Sequence, residues 1–429
     1  MFGRKAKRAS AIVALAVPIT SGLAQAPPSE QPKSGEPKVI SSVTQDFRFV
    51  TWEGTRGSNI FLPERGEGWQ VYAPLTAGMM VEFVGSAKWE LAAKTGHVWS
   101  HHGTKGQEAT YEGMVDTQLS AKVTLGGFTH VSPFVGVVVS VPTGESLLPG
   151  RQRFARMDPD LVEIGAYGAG ANVNPLVGFT FAPTANFVIA PSIGYAWLGK
   201  FQREGGTLVL TGEIFPLGAP NDVVDPGDVL TASLNAAAKV GTWTVQGSFA
   251  YTSLTEVTRN GIAIGQKGAG YVTNLAALYP VGPKLNFTLT GAWAYYEKDR
   301  IAKDLQNPDG ELFLEPKNGN SHLLIGAIQP TYDLTDRLRL GLTYSILHRT
   351  ENSYDIVEQR FLAARTKHSL GLILDYALSP TAIVTVTASR FWVHEEPGML
   401  LVGNIPPENV PPEMDFTGWT ASVAAAVKF

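Results

Sequence analysis

Trp419-Thr-Ala-Ser-Val-Ala-Ala-Ala-Val-Lys-Phe429 decides the fold: its side chains alternate without a break and stop on an aromatic. Trp419, Ala421, Val423, Ala425, Val427 and Phe429 share one face of an extended strand; Thr420, Ser422, Ala424, Ala426 and Lys428 share the other. One greasy face, one small or wet face and a terminal aromatic are what the closing strand of a bacterial outer-membrane barrel requires. Trp419, Val427 and Phe429 are the expected signal to the machinery that assembles such barrels, and outer-membrane lipids are the expected surroundings.

The opposite end predicts export from the cytoplasm. Arg4, Lys5, Lys7 and Arg8 precede an apolar core from Ala11 to Pro18, and Gly22-Leu-Ala24 supplies small residues at signal-peptidase spacing. Residues 1–24 therefore read as a signal peptide. The apolar run falls short of the ~18 residues a spanning helix needs. Residues 25–45, with Pro27, Pro28, Pro32 and Pro37, read as a periplasmic leader or plug, and 46–429 as the barrel.

Composition agrees with a wall of strands. Hydrophobic residues make up 44% of the 429, yet no mature stretch reads as a transmembrane helix, because alternation disperses them. Without cysteine the chain has no disulfide framework. Formal charge is −4, and the mature chain is more acidic still once the basic leader is lost. That balance offers nucleic acid no basic face.

Two-faced segments recur through the chain. Leu338, Leu340, Leu342, Tyr344 and Ile346 oppose Arg339, Gly341, Thr343 and Ser345, and Trp243, Val245, Phe249 and Tyr251 oppose Thr244, Gln246 and Ser248. Short connections near Val84, Gly126, Pro183, Val240, Val281, Leu334 and Leu378 alternate with long ones near 103–110, 143–169, 202–225, 259–267, 299–320, 351–364 and 396–414. Outer-membrane barrels have short periplasmic turns and long outer loops, so this rhythm orients the chain. Counting back gives 15 strands from about Trp69, and an even total needs one more, which Asp46 to Trp52 supplies through Phe47 and Phe49. The expectation is a sixteen-stranded antiparallel transmembrane barrel; fourteen strands with residues 25–66 folded inside as a plug is the alternative.

Catalytic and metal chemistry find little footing. His97 and His101 would lie ~13 Å apart along a strand, too far to share a metal, and His394-Glu395-Glu396 lacks a second histidine at helical spacing. Asp375, Ser369 and Thr385 are candidate lumen residues with no spacing that gathers them. Neither a catalytic residue nor a cofactor is expected, and Gly165 to Gly170 lacks the Lys-Ser/Thr ending of a phosphate loop.

The most distinctive polar stretch carries Arg151, Arg153 and Arg156, then Asp158, Asp160 and Glu163. It reads either as an inward-folded segment held by ion pairs, narrowing or gating a pore, or as a solvated outer loop whose surface pairs contribute ~0–1 kcal/mol each. Tyr296, Arg339, Asp375 and Phe391 fall on the expected inward face, and the aromatic pair hints at an apolar or aromatic solute.

Val141-Pro-Thr-Gly144, Arg156-Met-Asp-Pro-Asp160 and Asn172-Val-Asn-Pro-Leu-Val-Gly178-Phe179 resemble outer-membrane transporters of the MetA-pathway-of-phenol-degradation type, which look related to the long-chain fatty-acid and aromatic-hydrocarbon channels. The resemblance covers most of the chain after residue 45 and rests on strand ends and turns. It implies passive uptake of small, often apolar or aromatic compounds across the outer membrane of a Gram-negative bacterium. A general porin for polar solutes, and a structural or lipid-modifying barrel, are the competing readings.

Overall fold

The computed structural model describes residues 37–429 apart from 57–63, 84–86, 105–106, 205–206, 211–212, 217–220, 304–308, 357, 359 and 398–412. The signal peptide, most of the leader and the turn expected after Val84 lie outside the described residues.

The chain forms a closed antiparallel barrel of sixteen strands. In chain order they are β1 (Lys38–Arg56), β2 (Glu64–Phe83), β3 (Ala87–Thr104), β4 (Gln107–Met114 continued by Thr117–Leu125), β5 (Val131–Val141), β6 (Asn172–Thr184), β7 (Phe187–Leu198) and β8 (Val229–Val240). They continue as β9 (Trp243–Leu254), β10 (Gly270–Pro280), β11 (Leu285–Tyr296), β12 (Leu323–Asp333), β13 (Leu338–Arg349), β14 (Arg365–Ser379), β15 (Ala382–Glu395) and β16 (Met414–Lys428). Each strand pairs with its sequence neighbours, and β16 closes on β1 from Ser42–Lys428 to Gly54–Phe416. Both segments of β4 pair with β3, so they count as one strand broken at Val115-Asp116.

Alternation explains the two faces. Leu370 and Leu372 stand outward, each a little over half exposed (53% and 52%), and Trp419 and Val423 do likewise on β16. Such positions are tolerable only against hydrocarbon, because so large a continuous apolar surface does not persist in water. Aromatics ring the apolar band at both edges: Trp243 stacks on Tyr279 near the short turns, and Trp293, Tyr295 and Tyr344 lie toward the long loops. Eight residues separate Trp243 from Tyr251. At ~3.3 Å per residue and a tilt of ~40° they span ~20 Å, close to the ~25 Å apolar band of outer-membrane barrels.

Three expectations change in detail. The first strand starts at Lys38, eight residues before Asp46, because Val39, Val43 and Phe47 continue the outward row; this puts the end of the expected leader in the wall and removes the fourteen-stranded alternative. The connection expected at 103–110 is a tight hairpin, since Ala109 and Tyr111 carry the alternation onward. Other long connections carry strand of their own. Phe201–Glu204, Asn221–Asp225, Glu256–Arg259, Ile262–Gln266, Arg300–Ala302 and Leu312–Leu314 make a second, six-stranded sheet above the barrel. One of its hairpins turns on Asn260-Gly261 with φ of 53° and 82°, the left-handed pair that an Asn-Gly turn supplies.

Candidate functional site: a loop folded into the lumen

Two clusters of buried apolar residues lie inside the barrel, between its wall and the segment joining β5 to β6. Met157, Leu161 and Val162 pack on Val50, Trp52, Phe391, Val393 and Phe416 of β1, β15 and β16. Leu148, Ala155 and Tyr167 pack on Tyr72, Val98, Ala109 and Tyr111 of β2 to β4. The segment, built around a short 3-10 turn at Gly150–Ala155, therefore lines the inner wall of one side of the barrel. Gly68 makes room for the segment itself, and Gly418 makes room for the Phe391 ring on which it packs. A Cβ on Gly68 would lie 2.7 Å from the Met157 sulfur, and one on Gly418 would lie 2.3 Å from the Phe391 ring.

Charge fixes the same segment from beneath. The Arg365 guanidinium donates to Asp158 at 2.7 Å and Asp160 at 2.8 Å and also pairs with Glu395 of its own wall. Arg349 reaches Asp160 at 3.1 Å, and Lys367 Nζ donates to the Asp160 carbonyl at 2.6 Å. Further along, Arg48 pairs with both Asp46 and Glu163. Burial raises the Glu163 carboxyl above its ordinary range, with Arg48 opposing the shift; burial likewise raises the Tyr167 phenol. Buried Gln70 donates to the Ile164 carbonyl at 2.8 Å and accepts from its N–H at 2.9 Å, a side-chain amide standing in for a neighbouring strand.

The neck of the segment is equally specified. The break in β4 aims Asp116 at both ends: its carboxylate accepts from Gly144 N at 3.0 Å and Ala169 N at 2.7 Å. Gly144 and Gly168 meet back to back there, and a Cβ on Gly144 would fall 2.0 Å from the Tyr167 carbonyl oxygen. The glycine-rich stretch at 165–170 thus serves close backbone packing. Beside the neck lies a cavity of about 220 Å³ bordered by Tyr72, Lys94, Asp116, Gln118 and Tyr167.

The expected site residues separate. Asp158, Asp160 and Glu163 join ion pairs with the wall cations Arg365, Arg349 and Arg48. Arg156 donates to the Ser146 carbonyl at 2.7 Å and lies over the Tyr167 ring, Arg153 lies over Phe154, and Arg151 is exposed. Phe391 is 0% exposed beneath the segment, so it is a packing residue there and cannot touch a passing solute. Tyr296 is half-buried under Lys267 Nζ. Arg339 pairs with Asp333 at 2.7 Å near the short turns, and Asp375 accepts from Thr385 at 2.7 Å. Trp419, Val427 and Phe429 occupy the outward row of the closing strand. His97 packs tilted against Trp99 and His101 stacks on Trp69, whereas His102 Nδ1 contacts the Phe154 carbonyl at 2.6 Å. Among the described residues no group of three candidate ligands could hold a metal ion.

The other side of the barrel is different. Strands β6, β7, β9, β10 and β11 contain no charged residue, and β8 and β12 carry only Lys239 and Asp333, both at the short-turn end. Their inward positions are mostly amide, hydroxyl and small groups, with Leu278, Tyr296 and Ile325 among them. Ser192 bonds Ser233 at 2.6 Å and Asn274 bonds Ser248 at 3.1 Å. A second polar knot sits above this side: Glu315 accepts from Asp299 N, Gly319 N, Arg360 and Tyr354, while Asp299 accepts from Gly268 N and Asn320, tying three outer connections together.

No family model matches the chain, and no curated protein matches it. The fatty-acid-channel resemblance read from its motifs stands on those residues alone. Among solved structures the chain is similar to a Pseudomonas aeruginosa FadL homologue, at 9% identity and TM-score 0.43 over 91% of this chain and 90% of that one. It is also similar to a TodX monoaromatic hydrocarbon channel mutant, at 10% identity and TM-score 0.39 over 91% and 90%. A porin aligns at 11% identity and TM-score 0.36, over 92% of this chain and all of that one. All are likenesses too slight to carry an inference about cargo.

Proposed function

We propose that this chain is a passive outer-membrane pore for small uncharged polar solutes, with its bore narrowed by residues 142–171. The observation that carries the reading is the split in charge. Arg48, Arg349, Arg365 and Lys367, on the side occupied by the inward segment, are spent on anchoring it, and Lys88, Glu90 and Lys122 there pair with one another, while β6 to β12 offer Asn174, Asn235, Gln246 and Asn274 as neutral hydrogen-bonding groups. A wall of amides and hydroxyls exchanges hydrogen bonds with a hydrated solute and imposes no charge barrier. No chemical step is required, so the reading is of a channel and not an enzyme.

An apolar or aromatic solute is the second reading. Leu278 and Ile325 stand on the inward face and are 38% and 39% exposed, which favours it, although Phe391 is withdrawn from the path. Swelling of proteoliposomes separates the two. Neutral sugars entering faster than equally sized anions and cations supports the polar pore. Uptake confined to aromatic compounds would replace it with the second reading.

A further inference from the structure

Arg390 interrupts the apolar exterior. It is outward and exposed on β15, directly across from Trp419 of β16, and its guanidinium lies 5.4 Å from the Trp392 ring and 5.5 Å from the Trp419 ring. Among the described residues no carboxylate lies within ion-pair distance of it. Histidines flank it on the same outward rows: His368 of β14 lies opposite Trp392, and His394 of β15 and His348 of β13 both lie opposite Thr366. Each has Nδ1 engaged within the wall, His368 by Tyr344 Oη at 2.9 Å, His348 by Thr366 Oγ1 at 2.9 Å and His394 by Asp415 at 2.9 Å. That leaves the opposite ring nitrogen, Nε2, facing away from those contacts. Below them Leu370, Leu372 and Leu374 form a bare apolar stripe.

We infer that this patch binds the phosphorylated headgroup of an outer-leaflet glycolipid, its acyl chains lying along the leucine stripe. A lipid-facing arginine at mid-membrane costs ~2–4 kcal/mol, falling to ~0–1 near the interface; level with Trp419, Arg390 stands at the interface, where headgroup phosphates lie. Its planar fork matches a phosphate bidentately, and the indoles hold it without competing for its donors. Arg390 and His394 stand ~13 Å apart along the strand. That separation suits a bisphosphorylated disaccharide lipid with a phosphate at each end; at the His394 end Asp415 is taken up by the imidazole, and Glu396 and Glu413 also face that ring, so Arg390 is the principal phosphate ligand.

The inference rests on the proposed outer-membrane location. Its test is refolding of the full chain into phosphatidylcholine vesicles containing either a bisphosphorylated disaccharide lipid or the same lipid stripped of both phosphates, followed by detergent extraction and mass measurement of intact lipid complexes. The wild-type protein is expected to retain the phosphorylated lipid and not the stripped one, and Arg390→Gln to retain at least about tenfold less, the worth of a charge-assisted hydrogen bond. Equal retention of both lipids, or undiminished retention by Arg390→Gln, overturns it. Conductance recorded on the same samples keeps the two readings separate: a conducting protein that ignores the phosphates sinks the lipid site alone, and a protein that binds lipid without conducting sinks the pore alone.

Discussion

Replacing Arg365 by Met should release the segment from the lumen wall. The guanidinium is 6% exposed and faces Asp158, Asp160 and Glu395. Its removal would leave three carboxylates sharing Arg349 and Lys367. Breaking a buried pair by deleting one partner costs ~3–5 kcal/mol, and at ~1.4 kcal/mol per decade that shifts the docked-to-released ratio by roughly two to nearly four orders of magnitude. The absence of cysteine provides the assay. Leu161 is 2% exposed, so a single Leu161→Cys reports release through labelling by a membrane-impermeant maleimide, read beside single-channel conductance. Labelling at least a hundredfold faster, with a larger conductance, is expected when Arg365→Met is added. Where that variant refolds poorly, Asp158→Asn with Asp160→Asn removes the anchored acids and leaves the wall pair intact. Unchanged labelling and conductance in both would refute the anchoring argument.

Other substitutions test neighbouring parts of the account. Gly418→Ala should weaken the closing seam, since the new Cβ would lie 2.2 Å from the Thr51 carbonyl oxygen and 2.3 Å from the Phe391 ring; overpacking of this kind costs ~1–3 kcal/mol, seen as a lower temperature for loss of the compact band on semi-native gels. Gly144→Ala should disturb the neck and raise current noise while leaving that temperature nearly unchanged. Phe391→Ala should cost ~3–5 kcal/mol as a buried aromatic truncation and loosen the segment, without the selective loss of aromatic solutes that a lumen role for Phe391 would bring. Arg151→Gln, at an exposed position, should change neither conductance nor ion selectivity; a marked change in selectivity would return the loop's own arginines to the solute path.

The wall was legible because a half-lipid strand writes its two environments into alternate residues. Leu338 to Ile346, Trp243 to Tyr251 and the terminal stretch each gave their faces directly. The start of β1 was harder, because Ser41 and Gln45 interrupt its outward row and Pro37 lies just before it. The Gly-Thr-Lys-Gly stretch at 103–106 signals a connection but not its length, so the strand from Gln107 is hidden in the sequence. The charged segment was singled out, and its acids do bind cations. Its partners were invisible because Arg365 lies 207 residues from Asp158 and Arg48 lies 115 from Glu163, and only closure of the barrel brings them together. Phe391 misled for a related reason: alternation names the inward face but not whether something already covers it. The absence of charge from five whole strands between Asn172 and Tyr296 was the readable clue to the bore.

Reconstitution decides the central claim. Purified chain lacking residues 1–24, refolded from denaturant into detergent and added to a planar bilayer, should insert and give discrete, ohmic conductance steps. A compact, monodisperse species in buffer without detergent or lipid, silent in the bilayer, would contradict the account.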